Sequence, residues 1–255
     1  MERPPEFVQS LDRGLSVIKA FSAGNSRMTL SEVAKETGMT RAAARRFLIT
    51  LESLGYARSD GKFFSLRPSV LQLGYAYLSG SSFTSIAQQH LEDLAESVHE
   101  SCSASVLDDS DIVYVARAST NRIMTIGLAV GAKLPAYCTS MGRVLLSELT
   151  EDALNEYLLD TELVARTERT ITRPDQLIDE LKTVRLNGWC LLDQELEMGV
   201  RSVASPVRDS RGRMVAAINT SAHATRVSLE TLEKEILPRL KETAHQIEID
   251  LAGKG

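Results

Sequence analysis

Residues 29–66 read TLSEVAKETGMTRAAARRFLITLESLGYARSDGKFFSL. Thr29-Leu30-Ser31-Glu32 has the spacing of a capping box, in which the threonine oxygen and the glutamate each satisfy an amide left free at a helix start. The short helix it opens carries Val33 and Ala34 inward and closes at Gly38. Only Met39 separates Gly38 from Thr40, which can cap a further helix over 41–54 with Ala44, Phe47, Leu48, Leu51 and Leu54 on its apolar side. Two short helices joined tightly through glycine predict a helix-turn-helix. Downstream, two strand-like runs, 55–58 and 62–66, flank Asp60-Gly61, a strong hairpin signal. Upstream, Leu11, Leu15, Ile18 and Phe21 recur at helical spacing, with Ser10 as the expected N-cap. Helix, helix-turn-helix and basic hairpin together predict a winged helix-turn-helix over 1–67.

The outward side of the 41–54 helix carries Arg41, Ala42, Ala43, Arg45 and Arg46. Small alanines let a helix backbone approach a major groove, and arginines near the helix start reach guanine edges or phosphates. Thr40, Arg41 and Arg45 are the expected base readers, with Ala42 and Arg46 beside them. Arg58 and Lys62 flank the hairpin tip, where they would lie along phosphates and add affinity that falls with salt. An isolated R-x-x-x-R-R on a helix is usually a solvated face; the surrounding motif favours DNA.

Charge supports that division. Residues 1–67 hold eleven Lys/Arg against seven Asp/Glu, whereas 68–255 hold eighteen against twenty-seven. A chain of net charge −5 thus conceals a basic front and an acidic remainder, the asymmetry of a module with a polyanionic partner attached to one with another task. Hydrophobic residues at 43% and charged residues at 25% are ordinary globular values and exclude disordered or disulfide-scaffold classes. No apolar run is long enough to span a membrane, and the opening MERPPEF lacks a signal-peptide centre, so a cytoplasmic protein is expected. Cys102, Cys138 and Cys190 lie far apart and predict buried free thiols. His99 and Cys102, at i, i+3 spacing, lack two further ligands, so no metal is expected.

Beyond the hairpin, Pro68 opens a connecting helix over 68–82 with Val70, Leu73, Tyr77 and Leu78. A second helix turns Ile86, His90, Leu91, Leu94 and Val98 inward. Leu73, Tyr77 and Ile86 could alternatively meet a partner's helices. The remainder, 83–255, reads as an α+β domain with an antiparallel sheet. Its strands are expected at 103–107, 112–116, 122–126, 189–193, 200–207 and 214–221, and its helices at 139–149, 151–159 and 174–187, the last stopped by Gly188. The final helix, from Leu229 onward, should kink at Pro238. Residues 127–143 read as a long loop feeding a helix start. There the free amides around Ser140, Met141 and Gly142 and the guanidinium of Arg143 offer a site for a small carboxylate. Asp193, Glu195, Arg201, Ser202, Asn219 and Ser221 on adjoining strands form a second candidate wall, although strand alternation turns half of such residues away. No G-x-S-x-G, P-loop, H-E-x-x-H or Rossmann fingerprint occurs, so catalysis is not expected.

The strings SLDRGLSVIKAFS (10–22), TLSEVAKETGMTRAAARRFLITLESLGY (29–56), PAYCTSMGRVLL (135–146) and DQELEMGVRSVASPVRD (193–209) resemble the IclR family of transcription regulators over nearly the whole chain. HESCSASVLDDSDIVYVAR (99–117) and RIMTIGLAVGAKLPAYCTSMGRVLL (122–146) resemble the PcaR/PcaU/PobR group, which regulates protocatechuate and β-ketoadipate catabolism. The resemblance implies a GAF-like effector domain, a homodimer that often pairs into tetramers, a double-stranded DNA operator, no cofactor, and a carboxylate effector such as β-ketoadipate, protocatechuate or a hydroxybenzoate. It places effector contacts on the loop before Met141, with Ala136, Thr139 and Ser140, on Asp193 and Glu195, and on Ser202, Asn219 and Ser221; with the helix-start residues Met141, Gly142 and Arg143 these are the candidate effector contacts. Two other readings stay open: a DNA-binding protein whose second domain only oligomerises, and an enzyme-like ligand domain.

Overall fold

The computed structural model describes residues 4–22, 24–80, 82–119 and 128–253. The chain divides into two units, 1–77 and 78–255. In the first, α1 (Gln9–Ala20) begins one residue ahead of the expected cap. Ser10 lies inside the helix and Val8 precedes it without a side-chain cap. Strand β1 (Met28–Thr29) leads into α2 (Leu30–Glu36), whose capping box between Thr29 and Glu32 forms as the spacing predicts. Gly38 adopts φ +65° at the turn, and Thr40 caps α3 (Arg41–Ser53) by accepting from the Ala43 amide. Strands β2 (Ala57–Ser59) and β3 (Phe63–Leu66) form the wing, and β1 joins β3 as a third strand.

Val17, Val33, Ala34, Ala44, Leu48 and Leu51 are the centre of this unit's core. Leu11, Leu15 and Leu54 are exposed, contrary to the inward placement their spacing suggested. Periodicity identifies a stripe but not the body that covers it.

After a 3-10 turn at Pro68–Val70 comes α4 (Leu71–Ser79), then α5 (Ser82–Val98). Ile86 is buried in the core of its own unit, so it is not available to a partner. The second unit is built on a six-stranded antiparallel sheet in the order β6-β5-β4-β9-β8-β7. Its strands are β4 (Ser101–Asp108), β5 (Asp111–Ala118), β6 (Lys133–Pro135), β7 (Cys190–Asp193), β8 (Val200–Arg208) and β9 (Met214–His223). The strand expected at 122–126 lies outside the described residues. The stretch expected as loop contains β6 and a 3-10 turn, Ala136–Cys138. Trp189 precedes β7 instead of opening it, and Cys102 lies in β4, so His99 and Cys102 do not share a helix face.

Helices α6 (Ser140–Leu146), α7 (Glu151–Asp160) and α8 (Pro174–Asn187) follow, the last closed by Gly188 at φ +71°, a left-handed cap that glycine adopts freely. Leu149 lies beyond α6 and is only half-buried. The chain ends in α9 (Leu229–Thr231), a π-helical turn at Leu232–Ile236, and α10 (Leu237–Ala252). Pro238 has no N–H to return to the preceding turn. The irregularity expected at Pro238 accordingly falls in the turn ahead of it, and the proline itself sits in the first turn of α10.

Strand alternation splits the sheet between two cores. Val203, Val207, Ala216 and Ile218 face α5 and α10; Tyr114, Leu192, Ala204 and Ala217 face α6 and α8. The second layer holds the cavity described below. No helix among the described residues is long and apolar enough to cross a membrane.

Candidate functional site

On the first unit, Thr40, Arg41, Ala42, Arg45 and Arg46 lie together on the exposed side of α3, while Ala44, Leu48 and Leu51 hold the other side in the core. Arg58 and Lys62 are exposed on the wing, where Arg58 Nε donates to Ser65 Oγ at 3.1 Å. The wing tip is ordered by Asp60, whose carboxylate accepts the amides of Phe63 at 2.8 Å and Lys62 at 3.0 Å. Those backbone hydrogen bonds, with Arg27 adding to them, bring the Asp60 carboxyl down to about 2.

Arg27 is a residue that sequence reading missed. Its guanidinium pairs with Asp60 at 2.5 Å and lies 5.0 Å from the centre of the Phe63 ring, with Lys62 Nζ at 5.1 Å from the same ring. It reaches the tip because β1 pairs Met28 with Phe64 and Thr29 with Phe63. A two-residue strand carries no readable alternation, so nothing in the sequence placed Arg27 there.

On the second unit, a cavity of about 30 Å³ lies between α6 and the sheet. Its polar lining is Thr139, Ser140, Glu195, Ser202, Asn219 and Ser221; Tyr114, Leu128, Leu192, Leu196 and Val200 form much of the rest. Asn219 and Ser221 are two apart on β9 and therefore share a face, and the register sets Ser202 opposite Ser221. Asn219 Nδ2 donates to Ser221 Oγ at 2.9 Å, whereas Asn219 Oδ1 and Ser140 Oγ are buried without a partner among the described residues. These six expected residues come together around one space.

The other expected contacts do not line it. Gly142 donates its amide to Thr139 Oγ1 at 3.2 Å, so the cap and not a ligand satisfies it. Met141 is buried and accepts from Ser105 Oγ, and Ala136 is buried in the 3-10 turn. Arg143 is 1% exposed, donates from Nε to the Tyr137 carbonyl at 2.9 Å, and pairs through Nη2 with Glu195 Oε2 at 2.5 Å. Its guanidinium is thus neutralised from within instead of being offered to a ligand carboxylate. Asp193 is held by Arg201 and Arg169. Burial works to raise the Asp193 carboxyl, but hydrogen bonds from Arg201 and Gln194 outweigh it and hold it below the usual range.

Glu195 is therefore a junction. It lines the cavity, grips α6 through Arg143, and accepts the Ile171 amide at 3.2 Å, while its carbonyl accepts from Thr170 Oγ1 at 2.6 Å. Tyr137 OH donates to the Val164 carbonyl at 2.6 Å, so the segment between α7 and α8 is fastened to the cavity's surroundings at several points.

The three thiols are buried. Desolvation raises Cys138 to about 11 and Cys102 and Cys190 to about 12. At pH 8 the Cys138 thiolate is then about one molecule in a thousand. A thiol reagent should label the folded chain at least about 100-fold more slowly than the urea-unfolded chain; equal rates would contradict this burial.

Residues 10–61 match the model for the IclR helix-turn-helix domain, and residues 75–249 match that for the bacterial transcriptional regulator IclR C-terminal domain. The chain belongs to the IclR family. This IclR-family chain is 44% identical over 248 residues to the Pca regulon regulatory protein of Pseudomonas putida, covering 95% of this chain and 85% of the relative. Among solved structures, RHA06195 from Rhodococcus sp. RHA1 is 53% identical with a TM-score of 0.87, covering 98% of this chain and 100% of that one. A double mutant of the PobR inducer-binding domain from Acinetobacter, in complex with 3-hydroxybenzoic acid, is 34% identical with a TM-score of 0.62 and covers 64% of this chain and 96% of that one. An IclR-family chain with these relatives is a DNA-binding transcription regulator and not an enzyme.

Proposed function

We propose that the regulator senses a small aromatic-pathway carboxylate in the α6 cavity and answers by changing its grip on an operator. The observation that carries this reading is the cavity itself: hydroxyl and amide groups facing leucines, on the same chain as an exposed basic recognition helix. An acid that binds one arrangement of the lining better than another shifts the population toward it. DNA must in turn alter acid affinity by the same factor. Titrating acid with and without operator tests the coupling; identical affinities would remove it.

In this reading, residues 1–67 bind DNA, 68–82 connect, and 83–255 bind the effector. β-Ketoadipate, protocatechuate and hydroxybenzoates are the candidate acids, supported by the Pca regulator and by the relative seen with 3-hydroxybenzoic acid. A DNA operator as partner supports a cytoplasmic location. Leu71, Leu73, Tyr75 and Tyr77 expose apolar surface on several sides of α4, which supports a second copy covering that helix and a dimer, with pairing into tetramers beyond it.

On the DNA face, Thr40, Arg41 and Arg45 read bases, Ala42 gives the backbone room, and Arg46, Arg58 and Lys62 hold phosphates. Arg41→Ala or Arg45→Ala should cost about 1–3 kcal/mol and relax preference at one operator position, whereas Lys62→Ala should weaken all sequences alike and shallow the salt dependence. Binding measured against a set of single-base operator variants separates the two; indistinguishable profiles would overturn the division.

A further inference from the structure

Strand pairing gives the wing an inner and an outer face. Met28, Ala57 and Phe64 pack in the core of the first unit. Alternation therefore sends Phe63 and Ser65 of β3 outward, with Arg58 of β2 opposite Ser65. Cations gather around that outer face: Arg58 is held by Ser65 Oγ, and the Arg27 guanidinium and Lys62 Nζ both lie over the Phe63 ring. Of the acidic groups nearby, Glu32 is taken up by the amide and hydroxyl of Thr29, and Glu52 by the Ser59 amide. Asp60 divides its two oxygens: Oδ1 accepts the turn amides of Lys62 and Phe63, while Oδ2 takes Arg27 Nη2.

The Arg27–Asp60 pair stands in solvent, with side chains 62% and 49% exposed, and a pair so exposed adds little to stability. What it does is fix a cation. Arginine carries five N–H donors in a rigid fork, and Asp60 engages Nη2, which leaves Nε and Nη1 to donate elsewhere. Laid on Phe63 and tied to Asp60, the fork has less rotamer freedom to lose on meeting a phosphate than a free side chain has. We propose that Arg27, which lies outside the hairpin, is a third wing cation on the operator backbone, held ready by Asp60 and Phe63 beside Lys62 and Arg58. The inference rests on the wing contacts proposed above and adds one from the start of β1. A phosphate contact carries no base information, so it strengthens binding to any duplex.

The test is an anisotropy titration of the full chain with its own promoter region and with random duplex, between about 50 and 200 mM salt. Losing one phosphate contact flattens the slope of log affinity against log salt by about 0.9, so the affinity lost over that range shrinks about 3-fold. Arg27→Ala should show this on both duplexes, and Arg27→Lys, which keeps the charge, should not. Asp60→Asn keeps Oδ1 for the turn amides and removes the negative charge. In that background Arg27→Ala should again flatten the slope by about 0.9. No flattening there would show that Arg27 only cancels Asp60, and would overturn the contact. Where Asp60→Asn by itself flattens the slope, the comparison of Arg27→Ala with Arg27→Lys in the natural background decides, and equal slopes overturn the proposal. Flattening on the promoter region alone would overturn the assignment to phosphate. An unaltered chain that binds neither duplex would overturn the DNA-binding reading itself, an outcome distinct from these.

Discussion

Arg143→Ala should cost about 3–5 kcal/mol of unfolding free energy, among the largest single-residue effects in the chain. Arg143 is among the largest fully buried side chains, at 1% exposure, and Glu195 is only 11% exposed at the side chain. Removing the guanidinium leaves the carboxylate enclosed with the Ile171 amide as its remaining hydrogen-bond donor, and leaves the Tyr137 carbonyl without the Nε–H it accepts. An uncompensated buried charge is expensive, whereas replacing both members of such a pair by apolar groups is often tolerated. The double variant Arg143→Met with Glu195→Leu should therefore lose less stability than Arg143→Ala. Trp189 is the chain's single tryptophan and lies in the second unit, so its fluorescence during urea unfolding reports that unit. A double variant at least as unstable as the single would show that the pair is not the source of the cost.

Gly142→Ala should be comparably damaging, for a steric reason. A Cβ built at this position would fall on the backbone of Ala136, at its carbonyl oxygen and Cα, and would stand 2.5 Å from Thr139 Oγ1. Backbone cannot swing aside as a flexible side chain can, so the 3-10 turn and the first turn of α6 would have to separate. Overpacking of this kind costs about 3 kcal/mol or more and would disturb the Thr139 cap. Both residues flank the cavity, so ligand affinity should fall with stability. Thermal unfolding of Gly142→Ala within a degree of the unaltered protein would contradict the close approach. The helix-start reading put the Gly142 amide among the candidate ligand contacts; in the fold that amide donates to Thr139 Oγ1, and the absent Cβ lets two segments meet.

What the sequence made legible was local chemistry. The Thr29–Glu32 box, the Thr40 cap, the Asp60-Gly61 turn and the Gly188 stop each depend on residues within a few positions, and each forms where it was expected. Boundaries drifted by a residue or two where no such device exists, as at Ser10 and Trp189. The cavity's polar wall was partly legible, because Asn219 and Ser221 share a face by strand period and Ser202 faces Ser221 once the two strands pair. The fate of Arg143 was not. Its partner is 52 positions away on the far side of two helices, and a cation at a helix start looks the same whether it awaits a ligand or is already sealed by Glu195. Arg27 was hidden for a related reason, since only the pairing of β1 with β3 carries it to the wing.

Operator binding by the full chain is the decisive measurement. Fluorescence anisotropy should be measured with the protein's own promoter region and with random duplex, at physiological ionic strength, with and without each candidate acid. We predict tighter binding to the promoter and a change in that affinity when the cognate acid is present. Equal affinity for both duplexes under every condition would contradict it.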